Sequence, residues 1–240
     1  MSGTFPTYIT TFDSWLSSII GKPVWYVVER SNGIALHELK FETPGLFCSK
    51  CDVQEIKKVS ALTNKGFHIV DTNLTFEANA KHFASEKKDY IRHAIDSDRE
   101  SIMQLAGEVF QFSRFHLDPL ILKEIANKIK FLWAGNFFNG QRGDYMFLAE
   151  IEGRIAGFIQ IIWGNAGRMI IDLIGVALNF RGHGVGRALM EYAAHFGIEN
   201  TNSQLMVQVG TQVANVPALR LYEALGMKIR SGKYILHYHC

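Results

Sequence analysis

Residues 170–190 constrain the fold more than any other part of the chain. An apolar run, Ile-Ile-Asp-Leu-Ile-Gly-Val-Ala-Leu, passes into Arg181-Gly182-His183-Gly184-Val185-Gly186-Arg187 and then into a helical pattern. Three glycines at alternate positions allow the backbone to turn tightly and approach a ligand closely. The free N–H groups at the start of the next helix, with the helix dipole behind them, form an anion site that needs few side chains. Arg181 and Arg187 add formal charge nearby. Two similar loops do not fit. A P-loop needs Gly-Lys-Ser/Thr at its end, and here Gly186 is followed by Arg187 and Ala188. The dinucleotide fingerprint needs G-x-G-x-x-G in an early βαβ unit, and here the glycines lie two apart and late in the chain.

A second constellation lies at 215–227. Asn215 is placed to cap a helix that Pro217 begins. Tyr222 lies seven residues on, two helical turns away, so both can face one ligand. Leu219 and Leu225 form a candidate core pair. Residues 145–151, 154–163 and 169–177 read as successive strands, with Glu152-Gly153 and 164–167 as their turns. Helix 185–196, strand 204–210, helix 216–225 and strand 233–239 complete the chain. Upstream, 90–95 reads as a strand. Helix 97–109 comes next, with Ser97 or Asp98 as cap, and then helix 119–130, with Asp118 as cap. This is an α/β (mixed α+β) arrangement around a mixed sheet.

The polar stretch 83–89 suggests a boundary between a small domain at 1–82 and a larger one at 89–240. In the smaller unit, 23–30 and 68–75 read as strands and 53–64 as a helix stopped by Gly66. Leu62-Thr-Asn-Lys-Gly66-Phe-His-Ile-Val resembles Tyr222-Glu-Ala-Leu-Gly226-Met-Lys-Ile. The first unit therefore reads as a shortened copy of the second, although any helix–glycine–strand joint has this look. Too small for a robust core of its own, it should pack against the second unit and serve acceptor binding or homodimer formation.

A net charge of +2 gives no reason to expect nucleic acid or an anionic membrane as partner. No secretory leader opens the chain and no apolar run is long enough to span a bilayer, so a cytoplasmic location is the expectation. Cys48-x-x-Cys51 supplies only half of a zinc shell. His237, His239 and Cys240 cluster at the far end of the sequence. The expectation is a pair of loop thiols and no metal.

Arg181-Gly-His-Gly184-Val-Gly186 resembles the Q/R-x-x-G-x-G/A signature of the GNAT acetyltransferases. The stretch Ile174-Gly-Val176-Ala-Leu178 is similar to the strand that holds the pantetheine arm in that superfamily. Asn215…Ala218-Leu…Tyr222…Leu225-Gly226-Met resembles its second cofactor segment. The resemblance covers roughly residue 90 to the C-terminus. It implies a GNAT fold with a centrally splayed sheet flanked by helices, preceded by a partial GNAT-like unit. It also implies acetyl-CoA as co-substrate, held by Ile174, Val176, Leu178, Arg181 to Arg187, Asn215 and Leu221. Tyr222 stands at the position of the family's general acid. A narrower resemblance, to TDP-fucosamine acetyltransferases, rests on Phe110-Gln-Phe-Ser113-Arg114-Phe115, Asp118-Pro119 and an N-terminal Phe12-Asp13-Ser14…Ile20-Gly21-Lys-Pro23. Where Ser18 and Ile19 stand, such relatives carry two aromatics. This resemblance implies an amino-deoxysugar nucleotide as acceptor, polysaccharide biosynthesis as the setting, and Arg114, Phe115, His116 and Asp118 as acceptor-side residues.

Attack of an amine on a thioester requires a proton acceptor for the amine, a donor to the oxyanion and an acid for the thiolate. The resemblance implies a backbone N–H of the 174–178 strand for the oxyanion and Tyr222 for the thiolate. The base is open between Asp172, His116, Asp118, His183 and an ordered water chain. A peptide or protein N-acetyltransferase is the alternative enzyme. A non-catalytic acyl-CoA sensor is the alternative from another class, and it would have no need of Tyr222.

Overall fold

The computed structural model describes residues 6–85, 88–165, 167–201 and 204–240. In chain order these form β1 (Thr7–Phe12), α1 (Ser14–Ile20), β2 (Val24–Glu29), β3 (Ile34–Ala35), β4 (Leu46–Asp52), α2 (Ile56–Thr63) and β5 (His68–Asn79). Next come β6 (Ile91–His93), α3 (Arg99–Val109), α4 (Lys123–Phe138), β7 (Tyr145–Ile151), β8 (Arg154–Gly164) and β9 (Arg168–Val176). The chain ends with α5 (Val185–Asn200), β10 (Met206–Gln212), α6 (Val216–Ala224) and β11 (Lys228–His239). The strands join one mixed sheet in the order β3-β1-β2-β4-β11-β5-β10-β9-β8-β7-β6.

Alternation along the strands explains why helices cover both faces. Successive strand residues point to opposite sides. Met146 and Leu148 of β7 enter a core with Ile102 and Leu105 of α3. Phe147 and Ala149 enter the other core, with Ala188, Leu189 and Tyr192 of α5. Both cores are apolar, so neither face of β7 can be left wet.

The centre of the sheet is built twice. β4, α2 and β5 begin at residues 46, 56 and 68, and β10, α6 and β11 at 206, 216 and 228, so each element lies 160 residues after its counterpart. The two trios exchange their last strands: β11 lies between β4 and β5, and β5 between β11 and β10. The registers match as well. Asn79 of β5 faces Met206, and its counterpart His239 faces Leu46. The β5–β11 ladder slips by one residue at Arg230 and again at the equivalent Val70. Both helices close alike, with Phe67 N–H donating to the Leu62 carbonyl and Met227 N–H to that of Tyr222. Gly66 and Gly226 supply the left-handed residue each closure needs, with φ of 93° and 75°. The short sequence repeat is thus the visible part of a local twofold axis between β5 and β11.

Several sequence expectations shift. The strand expected at 90–95 shortens to β6. Asp98 does not cap α3 through its side chain; it pairs with Arg92 at 2.7 Å and accepts from Ile95 N–H. The helix expected at 119–130 begins four residues later and runs to Phe138, because Asp118–Ile121 closes as a separate turn. Cys48 and Cys51 are not loop thiols but buried residues of β4. Glu152 and Gly153 make the expected tight turn, both at positive φ. Part of the expected turn at 164–167, and part of the stretch 83–89, lies outside the described residues.

Candidate active site

The site begins where two parallel strands part. β9 and β10 pair only from Arg168 to Ile171 and from Met206 to Val209. Beyond that point Asp172 to Val176 have no partner on the β10 side, and the strands splay. The gap opens into a cleft of about 500 Å³, floored by β9 and β10, with the glycine turn and α6 along one side and Phe110 to Ser113 along another.

At the glycine turn, Gly182 and Gly184 take φ of 80° and 78°. Gly184 is the N-cap of α5 and supplies no side chain, so the first N–H groups of that helix are left for a ligand. A Cβ on Gly182 or Gly184 would meet nothing within 4 Å, so the space above the turn is open. Gly186 has a different reason: a Cβ there would press on Leu221 at 3.3 Å, and its absence lets α5 lie against α6. Arg181 is a strut. Its guanidinium donates to the carbonyl of Val176 at 3.2 Å and to that of Val109, the last residue of α3, at 3.0 Å. Arg187 is likewise engaged, with Glu191 at 3.3 Å and the Ala224 carbonyl at 2.8 Å. The anion site is therefore made chiefly by backbone.

Across the cleft, Asn215 caps α6 as its position suggests, accepting from Ala218 N–H, and its amide donates to Thr211. Tyr222 lines the cleft with its ring against Phe76, 5.5 Å between centroids. Burial pushes its phenol well above the usual tyrosine range and so keeps it protonated. Ile174, Val176, Val185 and Leu221 also line the cleft. Leu178 and His183 do not; both are exposed beside the turn.

The acceptor-side residues inferred from the sequence fall elsewhere. Arg114 bonds the Tyr26 hydroxyl and lies over the Tyr26 and Phe115 rings. Phe115 is core. Asp118 is buried beneath β11, accepting from His237 Nδ1 at 2.6 Å and His239 Nε2 at 2.7 Å. Burial opposes its ionisation, but those hydrogen bonds outweigh it and hold the carboxyl far below the usual carboxylate range. His68, Asp118 and His239 bring ligand atoms within 4.8 Å of one another. His68 Nε2 is buried without a partner, whereas both Asp118 oxygens are hydrogen-bonded and His239 Nδ1 faces Lys22 at 2.9 Å. The arrangement is a hydrogen-bonded seam joining the loop before α4 to β11, with the His68 ring of β5 stacked on that of His239. None of Arg114, Phe115, His116 or Asp118 lines the cleft; Gln111, Phe112 and Ser113 of the same loop do.

Two charged residues complete the cleft, Asp172, one of the candidate bases, and Lys130, which the sequence did not point to. Asp172 Oδ2 receives Trp133 Nε1 at 3.0 Å, Arg142 Nε at 2.8 Å and Gln160 Nε2 at 3.0 Å, and Oδ1 receives Arg142 Nη2, so both oxygens are engaged in holding β9 to α4 and its neighbours. Lys130 reaches the cleft from α4 with its ammonium 4.8 Å from the Phe110 ring and 4.7 Å from that of Trp133. Burial pushes its amine down to about 8, against the pull of Asp172. Sequence pattern shows Lys130 only as a helix residue, because Phe110 lies 20 positions away.

With this geometry in place, similarity to known proteins becomes informative. The profile of the acetyltransferase (GNAT) family matches residues 101–227. The chain is 32% identical over 140 residues to the spore coat polysaccharide biosynthesis protein SpsD of Bacillus subtilis, covering 58% of this chain and 47% of that one. It is 38% identical over 78 residues to a streptothricin acetyltransferase of Streptomyces lavendulae, covering 31% and 39%. The matched stretches thus span less than half of either relative. Among solved structures, a tandem GNAT protein from the clavulanic acid biosynthesis pathway superposes with a TM-score of 0.65 at 13% identity, covering all of this chain and 81% of that one. A protein of Staphylococcus epidermidis described as functionally unknown gives 0.65 at 14% identity, covering 99% and 93%. At such identities the likeness speaks for the fold. No helix of the described residues is long and apolar enough to cross a membrane.

Proposed function

The chain belongs to the GNAT acetyltransferase family, and from that premise we propose that it is an acetyl-CoA-dependent N-acetyltransferase acting on the amine of a nucleotide-linked amino-deoxysugar. The observation that carries the activity is the cleft between splayed β9 and β10, closed at one end by a side-chain-free helix start and lined by Tyr222. The open space above Gly182 and Gly184 fits a pyrophosphate. Acetyl-CoA supplies the activated acyl group. The chain's own part is to hold and orient it: backbone N–H groups from Gly182 to Arg187 for the phosphates, Ile174 and Val176 beside the pantetheine, and Asn215 and Leu221 from the α6 side. An unpaired N–H of β9 is placed to donate to the carbonyl oxygen as negative charge develops there. Tyr222 holds the proton that the departing thiolate needs.

The acceptor class rests on the similarity to SpsD, whose name places it in polysaccharide biosynthesis. A thiol-release assay with acetyl-CoA and a panel of amino-sugar nucleotides, polyamines and peptides tests it. Turnover of an amino-sugar nucleotide above the other amines is the expected result. Preference for a peptide would overturn the acceptor class, and thiol release with none of the amines would overturn the activity.

A further inference from the structure

Ser113 stands at the mouth of an ordered hydrogen-bond chain that runs out of the cleft into the protein. It lines the cleft beside β9. Its hydroxyl lies 2.6 Å from His116 Nδ1, and His116 Nε2 lies 2.9 Å from Asn127 Oδ1 on α4. The directions are set by the end of the chain. An amide oxygen only accepts, so His116 Nε2 carries the hydrogen. In the neutral imidazole Nδ1 is then a bare acceptor, and the Ser113 hydroxyl must donate to it. Burial pushes the His116 imidazole below its ordinary range, and the ammonium groups of Lys130 and Lys123, both on α4, push the same way. The charged groups on its own loop are turned elsewhere, Arg114 to Tyr26 and Asp118 to His237 and His239. The resting state is thus a neutral base that accepts from the hydroxyl of a cleft-lining serine, with its tautomer fixed from behind.

We propose that Ser113 and His116 form the proton-accepting relay for the acceptor amine, with Asn127 as the residue that positions His116. The proposal deepens the N-acetyltransferase reading and rests on it. As the amine nitrogen forms its bond to the thioester carbonyl carbon, it gives up an N–H proton to Ser113 Oγ. The Ser113 hydroxyl proton passes to His116 Nδ1, and His116 becomes an imidazolium that still donates from Nε2 to Asn127. When the carbon–sulfur bond breaks, the thiolate takes its proton from Tyr222. His116 returns its proton to solvent after product release, and Tyr222 regains one. Neither oxidant nor further reactant is needed. The relay also accounts for Asp172, the carboxylate on the thioester strand, being spent on Arg142, Trp133 and Gln160.

The test is kcat against pH for the wild type and for Ser113→Ala, Ser113→Thr and His116→Gln, with acetyl-CoA and whichever amine of the panel is turned over fastest. Failure of the sugar assignment therefore leaves the relay testable. Ser113→Ala and His116→Gln should lower kcat by about 10²–10⁴-fold near neutral pH, the usual reach of general-base catalysis. The deficit should shrink as pH rises, because solution base then replaces the lost acceptor. Ser113→Thr, which keeps the hydroxyl, should recover most of the rate. Melting temperatures report whether each variant is folded. A deficit equal at every pH, or Ser113→Ala within about threefold of wild type when chemistry limits, overturns the relay. An acetyl ester on Ser113 after incubation with acetyl-CoA alone also overturns it, by making Ser113 a nucleophile.

Discussion

The two trios at the centre of the sheet share strand order, register, bulges and helix closures, yet the C-terminal one opens into a cleft and the N-terminal one, among the described residues, packs into an apolar core. In the C-terminal trio β10 pairs with β9 for four residues and then parts from it. In the N-terminal trio β4 pairs with β2 for the same four positions, Val24–Val27 with Leu46–Ser49. The connections beyond those positions differ. β9 leads through the glycine turn into α5, 16 residues long. β2 leads into β3 and a short turn, whose Leu36 packs with Tyr8, Val27 and Leu62. The position of Tyr222 is taken by Leu62, and that of Asn215 by Glu55. The same backbone scaffold borders an open cleft in one copy and a filled core in the other. The capacity for chemistry therefore lies in one connection and a few side chains. The scaffold's own task is to supply neighbours for β5 and β11, each of which sits between strands of the other copy.

Tyr222→Phe separates the copies most sharply. The substitution keeps the ring against Phe76 and removes only the hydroxyl, which Leu62 shows the scaffold does not require. The variant should melt close to wild type and lose about 10²–10⁴-fold in kcat, with a much smaller change in KM for acetyl-CoA. Near-native kcat with chemistry limiting would remove Tyr222 as the acid. A raised KM alone would recast it as a cofactor contact.

The limits of sequence reading fall along the same division. The glycine turn, Asn215 and Tyr222 were legible because each belongs to a local pattern of strand, turn and helix. The repeat was visible only at Leu62–Val70, where helix end, glycine and strand recur. The exchange of β5 and β11 was not, since pairing between strands 160 residues apart leaves no periodic trace. Asp118 shows the cost of local reasoning. Its place before Pro119 suggests a helix cap, and one oxygen does accept from Leu120 N–H. The turn stops at Ile121, however, and the other oxygen is held by His237 and His239, 119 and 121 residues away. Arg114 and Phe115 were misplaced for the same reason: an Arg-aromatic loop resembles a binding surface until Tyr26 and the core of β2 and β4 arrive to cover it. Gln111, Phe112 and Ser113, the residues of that segment that do line the cleft, belong to the same stretch of sequence, and nothing in it singles them out from Arg114 and Phe115.

Leu62→Ala is the reciprocal experiment. Leu62 is fully buried, so truncation removes apolar contacts and leaves a cavity. The expected loss of stability in urea unfolding is about 2–5 kcal/mol. Activity per folded molecule should be unchanged where the variant remains native. A selective loss of kcat without destabilisation would mean that the filled copy takes part in chemistry, and the contrast between the copies would fail.

Gly184→Val probes the connection itself, with a smaller effect. No neighbour obstructs the new side chain, so its cost comes from φ at 78°, a left-handed value that a β-branched residue resists by about 1–2 kcal/mol. Relaxing that strain re-aims the first N–H groups of α5. Acetyl-CoA affinity should fall by roughly tenfold in calorimetry, since about 1.4 kcal/mol corresponds to that factor. Unchanged affinity would place the phosphates elsewhere.

The smallest effect concerns the ammonium that reaches the open copy's cleft from α4. Lys130 has its amine pushed down to about 8 by burial, whereas an unfolded lysine titrates near 10.4. Between those values the unfolded chain binds more protons than the folded one, so stability should rise with pH across that window. Below pH 8 both forms carry the charge and the folded state bears the full cost. Some two pKa units would amount to about 3 kcal/mol, but part exposure and the two ring contacts that favour the cation reduce this to about 1 kcal/mol. Lys130→Met has no such proton to lose. Its stability advantage over wild type should be present at pH 7 and narrow by about 1 kcal/mol between pH 8 and pH 10 in parallel urea titrations. Parallel profiles for the two proteins would show that the cleft holds Lys130 in a watery setting, and its ammonium would then add no electrostatic cost to the open copy.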